Sequence, residues 1–314
     1  MSRVAERRAP DKPALGIGLR LLAGLLSAGM FVCVKASSGA VPLGEIVFFR
    51  SFFALIPLVI FLLVRREFPD GLKTRRPMGH LLRSSFGAIA MFLSFASVAR
   101  LSVAEASLVG YLYPPLTVLA ASVFLSERMT AWRVGGVLLG LVGVFVLVLP
   151  ELGGGQANAQ RIAGYSYGIL MAVFTAGALI MVRSLNHTES PGAIAFYFVV
   201  ASMIGGLLTL PAGWVLPEGR TLALLVMSGL FGGAAHIAMT LAFRNAEASR
   251  LAPIEYVGLI WLVLADFLLF KLPISVSFVF ALPLVLGGAA FSVMERRSIR
   301  GMQDDRRQVR SQGR

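Results

Sequence analysis

The chain has 314 residues, of which 57% are hydrophobic and only 14% are charged, and its mean hydropathy is +0.79. Soluble domains carry roughly 25% charged residues, so a soluble fold of this length would leave far too much apolar surface in water. The single cysteine excludes a disulfide framework, and the three histidines are too scattered for a multi-histidine metal site. We therefore expect an integral membrane protein with no metal and no cofactor.

Ten apolar runs follow one another along the chain, and each is long enough to span a bilayer. A spanning helix needs about 20 apolar residues, with a range of about 17–25. Because lipid admits only helices or closed barrels and no segment alternates as a strand does, the runs predict an all-α, polytopic membrane protein. They cover residues 15–35, 43–64, 77–99, 102–125, 132–150, 162–182, 191–212, 221–243, 251–270 and 274–294.

The positive charge follows the pattern of a membrane topology. If the N-terminus is cytoplasmic, 21 of the 29 Lys and Arg residues fall in inner segments and 5 at outer ends. Positive residues accumulate in cytoplasmic loops, so both termini are predicted to be cytoplasmic. The net charge of +13 therefore indicates lipid headgroups as the partner of the charged ends, and no nucleic acid.

Segments of the first half recur in the second half. Two segments match at an offset of 148 residues, and two shorter ones at an offset of 145. Five helices per half would insert the two copies in opposite senses, and such inverted repeats are typical of secondary transporters. The matched segments are 22–29 with 170–177, 44–49 with 192–197, Phe86-Gly87 with Phe231-Gly232, and Tyr111 with Tyr256.

The repeat divides the chain into four predicted parts. Residues 1–14 form a cytoplasmic N-terminal segment, and residues 15–150 form the first five-helix repeat. Residues 162–295 form the second repeat, and residues 296–314 form a basic cytoplasmic tail.

Both halves carry a further set of motifs in the same order. The first half has Tyr111–Leu116, then Leu125–Thr130, then a glycine-rich run from Gly135 to Gly143; the second has Pro253–Trp261 and then Phe270–Pro273. In this order the motifs resemble the signature of EamA-like carriers, the ten-helix type of the drug/metabolite transporter superfamily. The resemblance implies a secondary transporter of a bacterial inner membrane that is not an enzyme. Lys271 departs from the pattern, because the family usually has a glutamate there.

Arg50 is the first candidate for the transport pathway. An ionisable group within a membrane helix costs about 3 kcal/mol or more and is a functional candidate by default. Its repeat partner is the neutral Phe198, so the charge belongs to one half only. Alternatively, Arg50 extends outward to the headgroups or pairs structurally with Glu45 or Glu105.

Four other polar residues are candidates for coupling to a proton or cation. Glu255 and Asp266 lie eleven residues apart on the ninth run, which places them on nearly one helix face and about 16 Å apart. Each is alternatively an interfacial charge near a helix end, and a lone histidine is alternatively a hydrogen-bonded packing residue. The candidates are Asp266, Glu255, Glu105 and His236.

Aromatic residues on corresponding helices of the two halves suggest a cavity in which a flat solute stacks, although single rings also suit lipid-facing positions. Scarce buried charge favours a mostly neutral small molecule. Among the cargoes that the resemblance to the drug/metabolite transporter superfamily implies, riboflavin fits this chemistry first and an amino acid or S-adenosylmethionine next. A channel or an intramembrane enzyme is the alternative of another class, and a homodimer is an open alternative for the assembly. The predicted substrate-binding residues are Arg50, Phe49, Phe53, Tyr111, Tyr113, Tyr197, Tyr256 and Trp261.

The charge bias gives a topology prediction. Reporter fusions after residues 38, 155 and 218 should read outside, and fusions after residues 72 and 300 should read inside, because the bias favours cytoplasmic termini. The measurement is the paired activity of a periplasmic and a cytoplasmic reporter at each point. An inside signal at residue 155 would contradict the arrangement of five plus five helices.

Overall fold

The computed structural model describes residues 12–124, 130–153, 158–186, 188–246 and 248–292. Within these ranges the regular structure is entirely helical. Most of the predicted N-terminal segment and the whole basic tail lie outside the described residues, as does Leu125–Met129 of the predicted family signature.

The described chain contains twelve α-helices and two short 3-10 helices, Asp70–Leu72 and Leu210–Ala212, and each of the ten predicted runs contains helix. Eight spans are long and apolar enough to cross a membrane, one of which, Val103–Val123, contains two helices, and shorter apolar helices follow. The prediction of an all-α polytopic membrane protein is confirmed. The helices are α1 (Pro13–Ser37), α2 (Leu43–Val64), α3 (Pro77–Arg100), α4 (Val103–Gly110), α5 (Tyr113–Phe124), α6 (Ala131–Gly153), α7 (Ala159–Leu185), α8 (Pro191–Leu207), α9 (Gly219–Asn245), α10 (Ala248–Glu255), α11 (Val257–Leu268) and α12 (Val276–Ser292).

The outer surface of the bundle is apolar. Leu138 and Phe145 on α6 are each 57% exposed, and Phe280 on α12 is 65% exposed. Large apolar side chains in such numbers on a surface need an apolar solvent, which is the lipid expected from the composition.

Two predicted spans are broken at repeat-equivalent tyrosines. The fourth span is divided at Tyr111 between α4 and α5, and the ninth at Tyr256 between α10 and α11. Pro114 and Pro115 begin α5 without backbone N–H groups, so the hydrogen-bond ladder of α4 cannot continue through them. The two tyrosine rings meet edge to face, with centroids 5.4 Å apart, so the two breaks face each other.

Contacts between the halves come in pairs that the repeat relates. α1 packs along α9 as α7 packs along α3, and α2 contacts α9 as α8 contacts α3. A Cβ atom on Gly29 would lie 3.1 Å from the ring of Phe231, and one on Gly177 would lie 2.6 Å from the ring of Phe86. These four residues are two repeat-equivalent pairs, so the same glycine–phenylalanine contact forms twice. The residue bounds of the two repeats stay a prediction.

α2 and α8 cross with their backbones in contact. A Cβ atom on Gly206 would lie 2.6 Å from the backbone nitrogen of Phe48 and 2.8 Å from the carbonyl oxygen of Gly44. Small residues at helix crossings allow this approach. The neighbouring Gly205 has more room, since the nearest atom to its Cβ position is in the Phe92 ring at 3.4 Å.

The crossing predicts different effects for the two neighbouring glycines. Gly206→Val should lower the thermal unfolding midpoint of the detergent-purified protein, because overpacking typically costs about 1–3 kcal/mol and backbone cannot swing aside. Gly205→Val is the matched control, with the same change of residue at a position where the added Cβ meets a side chain only at ordinary contact distance. Equal midpoints for the two variants would contradict the described crossing.

Candidate transport site

Two adjoining pockets lie between the halves, and we describe them together as the central cavity. They have volumes of about 330 and 260 Å³ and share four lining residues, Phe31, Ser94, Met171 and Thr175. Ligand pockets for small molecules have about 300–1,000 Å³, so the central cavity is large enough for a small organic solute.

The larger pocket contains an ion pair at the break of the ninth span. Nη2 of Arg20 lies 3.2 Å from Oε2 of Glu255, and the hydroxyl of Tyr113 donates to Oε1 of the same carboxylate. The hydroxyl of Tyr111 donates to the carbonyl oxygen of Glu255 over 3.0 Å. The end of α10 is thus held by the first half, and the Glu255 carboxylate is fully partnered within the cavity wall.

The smaller pocket contains two arginines, Arg50 and Arg83. Arg50 is only 8% exposed; its Nη2 donates to the sulfur of Met30 over 3.6 Å, while its Nε and Nη1 are buried without a partner among the described residues. Nε and Nη1 of Arg83 are also buried and unpartnered there. The Arg83 guanidinium lies over the ring of Phe198, 4.4 Å from its centroid.

Neither carboxylate considered as a partner of Arg50 is bound to it. Oε2 of Glu45 accepts a hydrogen bond from the backbone nitrogen of Val215 over 3.1 Å. Glu105 is paired with Arg161 at 2.9 Å. Arg50 also does not reach the surface, so the structure contradicts both alternative interpretations of this residue.

A separate pocket of about 310 Å³ lies where α1 and α3 end and α4 and α7 begin; we call it the outer pocket, from the predicted orientation. It shares no described lining residue with the central cavity. Its wall contains Arg161, whose Nε lies 2.6 Å from Oε1 of Glu151. Glu105, a coupling candidate, lies here with Arg161 and Tyr165, away from the central cavity.

Opposite charges hold the connection between α3 and α4 beside the outer pocket. Nζ of Lys35 donates to the carbonyl oxygens of Val98 and Leu101 over 2.8 and 2.7 Å. The Asp266 carboxylate accepts from the backbone nitrogens of Val103 and Ala104 over 3.0 and 2.7 Å. A cation at a helix C-terminus and an anion at a helix N-terminus are both favourable. These contacts support a structural role for Asp266.

The predicted site residues fall into three groups. Arg50, Tyr111, Tyr113 and Glu255 line the central cavity, and Tyr256 contacts Tyr111. Asp266 and Glu105 line the outer pocket. The remaining five predicted residues line neither the central cavity nor the outer pocket. They are Phe49, Phe53, Tyr197, Trp261 and His236.

Packing explains where the third group lies. Phe49 stacks on Phe53 along α2, with centroids 6.2 Å apart. The hydroxyl of Tyr197 donates to the carbonyl oxygen of Leu72 over 2.9 Å, and Trp261 packs against the main core. His236 lies close enough to Arg50 and Arg83 for their charges to act on it. A transport role for these residues stays a prediction.

Two cavity residues, Arg20 and Arg83, were not among the predicted site residues. Both lie within apolar runs, and an ionisable residue within such a run is the same signal that makes Arg50 a candidate. They are closer to the predicted inner ends of their helices, where a long side chain is expected to reach the headgroups.

Residues 14–149 match the model of the EamA-like transporter family. The chain is also 30% identical over 251 residues to the pseudopaline exporter CntI of Pseudomonas aeruginosa, covering 78% of this chain and 84% of that protein. The chain belongs to the EamA-like transporter family. It is therefore a small-molecule transporter embedded in a membrane, and not an enzyme.

Two further proteins are similar to this chain. The riboflavin transporter of Rhizobium johnstonii is 27% identical over 265 residues, which cover 83% of this chain and 85% of that protein. A protein of known crystal structure has a TM-score of 0.63 and 22% identity, over 90% of this chain and 98% of the other. The second likeness concerns the fold alone.

The contacts of Asp266 predict graded effects on stability. Asp266→Ala leaves two buried N–H groups of α4 without an acceptor, at a cost of about 1–3 kcal/mol for each, and should lower the thermal midpoint in detergent. Asp266→Asn keeps one acceptor oxygen and should lie between Ala and the wild type. A midpoint unchanged by Ala would contradict the structural role.

Proposed function

We propose that the protein is a secondary carrier that moves a small organic metabolite across a bacterial inner membrane, with both termini in the cytoplasm. The observation that carries this proposal is the central cavity, which lies between the halves and beside the breaks of both discontinuous spans. Substrate sites of carriers with inverted repeats lie at the interface of the repeats, and broken helices are typical of them.

The contacts at the cavity support a carrier more than a channel. A channel needs a continuous pore, whereas the central cavity and the outer pocket share no described lining residue. On the outer-pocket side the halves are joined by the Asp266 carboxylate of the second half, which accepts from the backbone nitrogens of Val103 and Ala104 in the first half. A carrier would open this side by moving one half against the other, around a solute bound in the cavity.

The identity of the transported solute is a separate part of this proposal. Riboflavin was predicted from seven aromatic residues, and only Tyr111 and Tyr113 of these line the central cavity. A relative named as a riboflavin transporter supports testing this solute, but the named cargo of the pseudopaline exporter differs. Riboflavin is therefore one member of a panel, and the charged residues of the cavity are the better guide.

Glu255 is the coupling candidate that contacts the central cavity. Its carboxylate is held by Arg20 and Tyr113, so a change in its contacts would change the cavity wall. Asp266 binds two backbone N–H groups instead. If folded Asp266→Asn protein loses the pH dependence of transport, coupling belongs to Asp266 and our assignment to Glu255 is wrong.

The shared wall of the central cavity predicts where an added side chain blocks transport. Thr175→Trp should abolish solute counterflow in proteoliposomes, because Thr175 lines both pockets of the cavity. The solutes are labelled riboflavin, S-adenosylmethionine, aromatic amino acids and organic acids. In a carrier, preloaded unlabelled solute drives transient uptake of the labelled form, which a channel does not show.

Val173→Trp is the matched control for this experiment. Val173 has nearly the shape of threonine, lies two residues away on α7, and is 47% exposed on the outer surface. It should transport as the wild type does. Transport by Thr175→Trp at the wild-type rate would contradict the cavity as the pathway.

A further inference from the structure

We infer that the transported solute is an organic anion whose carboxylate binds to Arg50 and Arg83 in the smaller pocket of the central cavity. This inference rests on the proposed carrier function and names the chemical class of its solute. It departs from the neutral solute that the sequence favoured.

The first argument is the contrast between these two arginines and the other charged residues in the walls. Arg20 is paired with Glu255, and Arg161 with two glutamates. Lys35 donates to carbonyl groups. In the described residues, Arg50 and Arg83 each keep two buried donor atoms that no protein acceptor meets, whereas Arg20 and Arg100 each keep one. Buried donors of charged groups are normally satisfied, so a ligand with acceptor oxygens is the group that fits here.

The second argument is that the surrounding helices leave room for both guanidinium groups. A Cβ atom on Gly232 would lie 2.8 Å from Nη2 of Arg50 and 2.8 Å from the sulfur of Met30. A Cβ atom on Gly87 would overlap with Nη1 of Arg83. Gly87 and Gly232 are repeat-equivalent, so each half supplies one glycine against which a guanidinium group lies.

The repeat also explains why both arginines face one pocket. Phe198 occupies the place in the second half that Arg50 occupies in the first, and it packs against Gly87 as Arg50 packs against Gly232. Arg83 then lies over the ring of Phe198, which is a favourable cation–π contact. One half therefore presents an arginine and the other a phenylalanine that holds a second arginine.

The third argument is the charge and polarity of the cavity. Its described wall contains three arginines and one glutamate, so it carries a net charge of about +2 when all four are ionised. An anion of charge −1 or −2 would balance it. Planar guanidinium groups match the two oxygens of a carboxylate with paired hydrogen bonds.

A phosphate group fits the smaller pocket less well. Apart from the arginines, its polar side chains are Ser94 and Thr175, and the rest of its wall is apolar. The apolar remainder of the described wall offers no side-chain hydrogen-bond donor to the other oxygens of a tetrahedral, multiply charged group. The pocket therefore favours a carboxylate with an apolar remainder.

The first test identifies the solute without assuming it. Mass spectrometry compares the medium and the extracts of cells that express wild-type protein, Arg50→Gln, Arg83→Gln or Arg220→Gln. Arg220 is exposed at the start of α9, so its variant is the control for loss of one positive charge. We expect the wild type and Arg220→Gln to redistribute the same carboxylic acids, and the two cavity variants to lose this effect.

The second test measures binding to the purified protein. Glutarate and its uncharged diamide, glutaramide, have the same length, and their effects on the thermal midpoint give apparent affinities. We expect glutarate to bind at least about tenfold more tightly than glutaramide, and each Gln variant to lose about tenfold or more of the glutarate affinity, as one lost charged contact implies. Arg50→Lys and Arg83→Lys should retain part of it, which keeps the test usable if a Gln variant fails to fold.

Several results of these two tests would contradict the inference. Redistribution of a neutral solute, such as riboflavin, by the wild type and both Gln variants would overturn the carboxylate inference and leave the carrier intact. Equal binding of glutarate and glutaramide, or tighter binding of inorganic phosphate than of glutarate, would also overturn it. If the wild type redistributes no solute at all, the proposed carrier function fails together with the inference.

Discussion

The bilayer offers no water to a buried charge or to a free backbone group, and this constraint decides most of the polar structure of the protein. Each unsatisfied group in lipid costs several kcal/mol. The connection between α3 and α4 meets this constraint with two side chains from other helices, Lys35 and Asp266. The ion pair of Arg20 with Glu255 meets it at the break of the ninth span.

The partners that satisfy one half come largely from the other half. Asp266 of the second half accepts from the first turn of α4, and Tyr111 of the first half donates to the end of α10. Broken helices are tolerated in a membrane only where other protein groups complete their hydrogen bonds. The interface between the halves is thus where irregular backbone and charge can be placed, and a solute site can form there for the same reason.

Hydropathy was sufficient to predict the helical spans of the fold, because every span must be apolar whatever it packs against. That Arg50 lines the central cavity could also be predicted, since an ionisable residue within an apolar span is a functional candidate by default. Which aromatic residues line the cavity could not be predicted, because a ring on a membrane helix is equally apolar towards lipid, core or cavity; of the seven predicted, Tyr111 and Tyr113 line it. Phe49 and Phe53 illustrate this, since they stack on each other along α2. The helix face that meets the cavity depends on packing between halves, which composition does not record.

The packing contacts of the fold are duplicated in the two halves, whereas the charge of the cavity is not. Repeat-equivalent contacts such as Gly29 with Phe231 and Gly177 with Phe86 fix how the helices pack. The difference between Arg50 and Phe198 changes the charge of the cavity without changing that packing, because both side chains lie against repeat-equivalent glycines. Relatives at 27 and 30% identity that are named for different cargoes are consistent with such a separation. A few cavity positions can then differ between relatives, while the apolar spans and the glycine contacts preserve the fold.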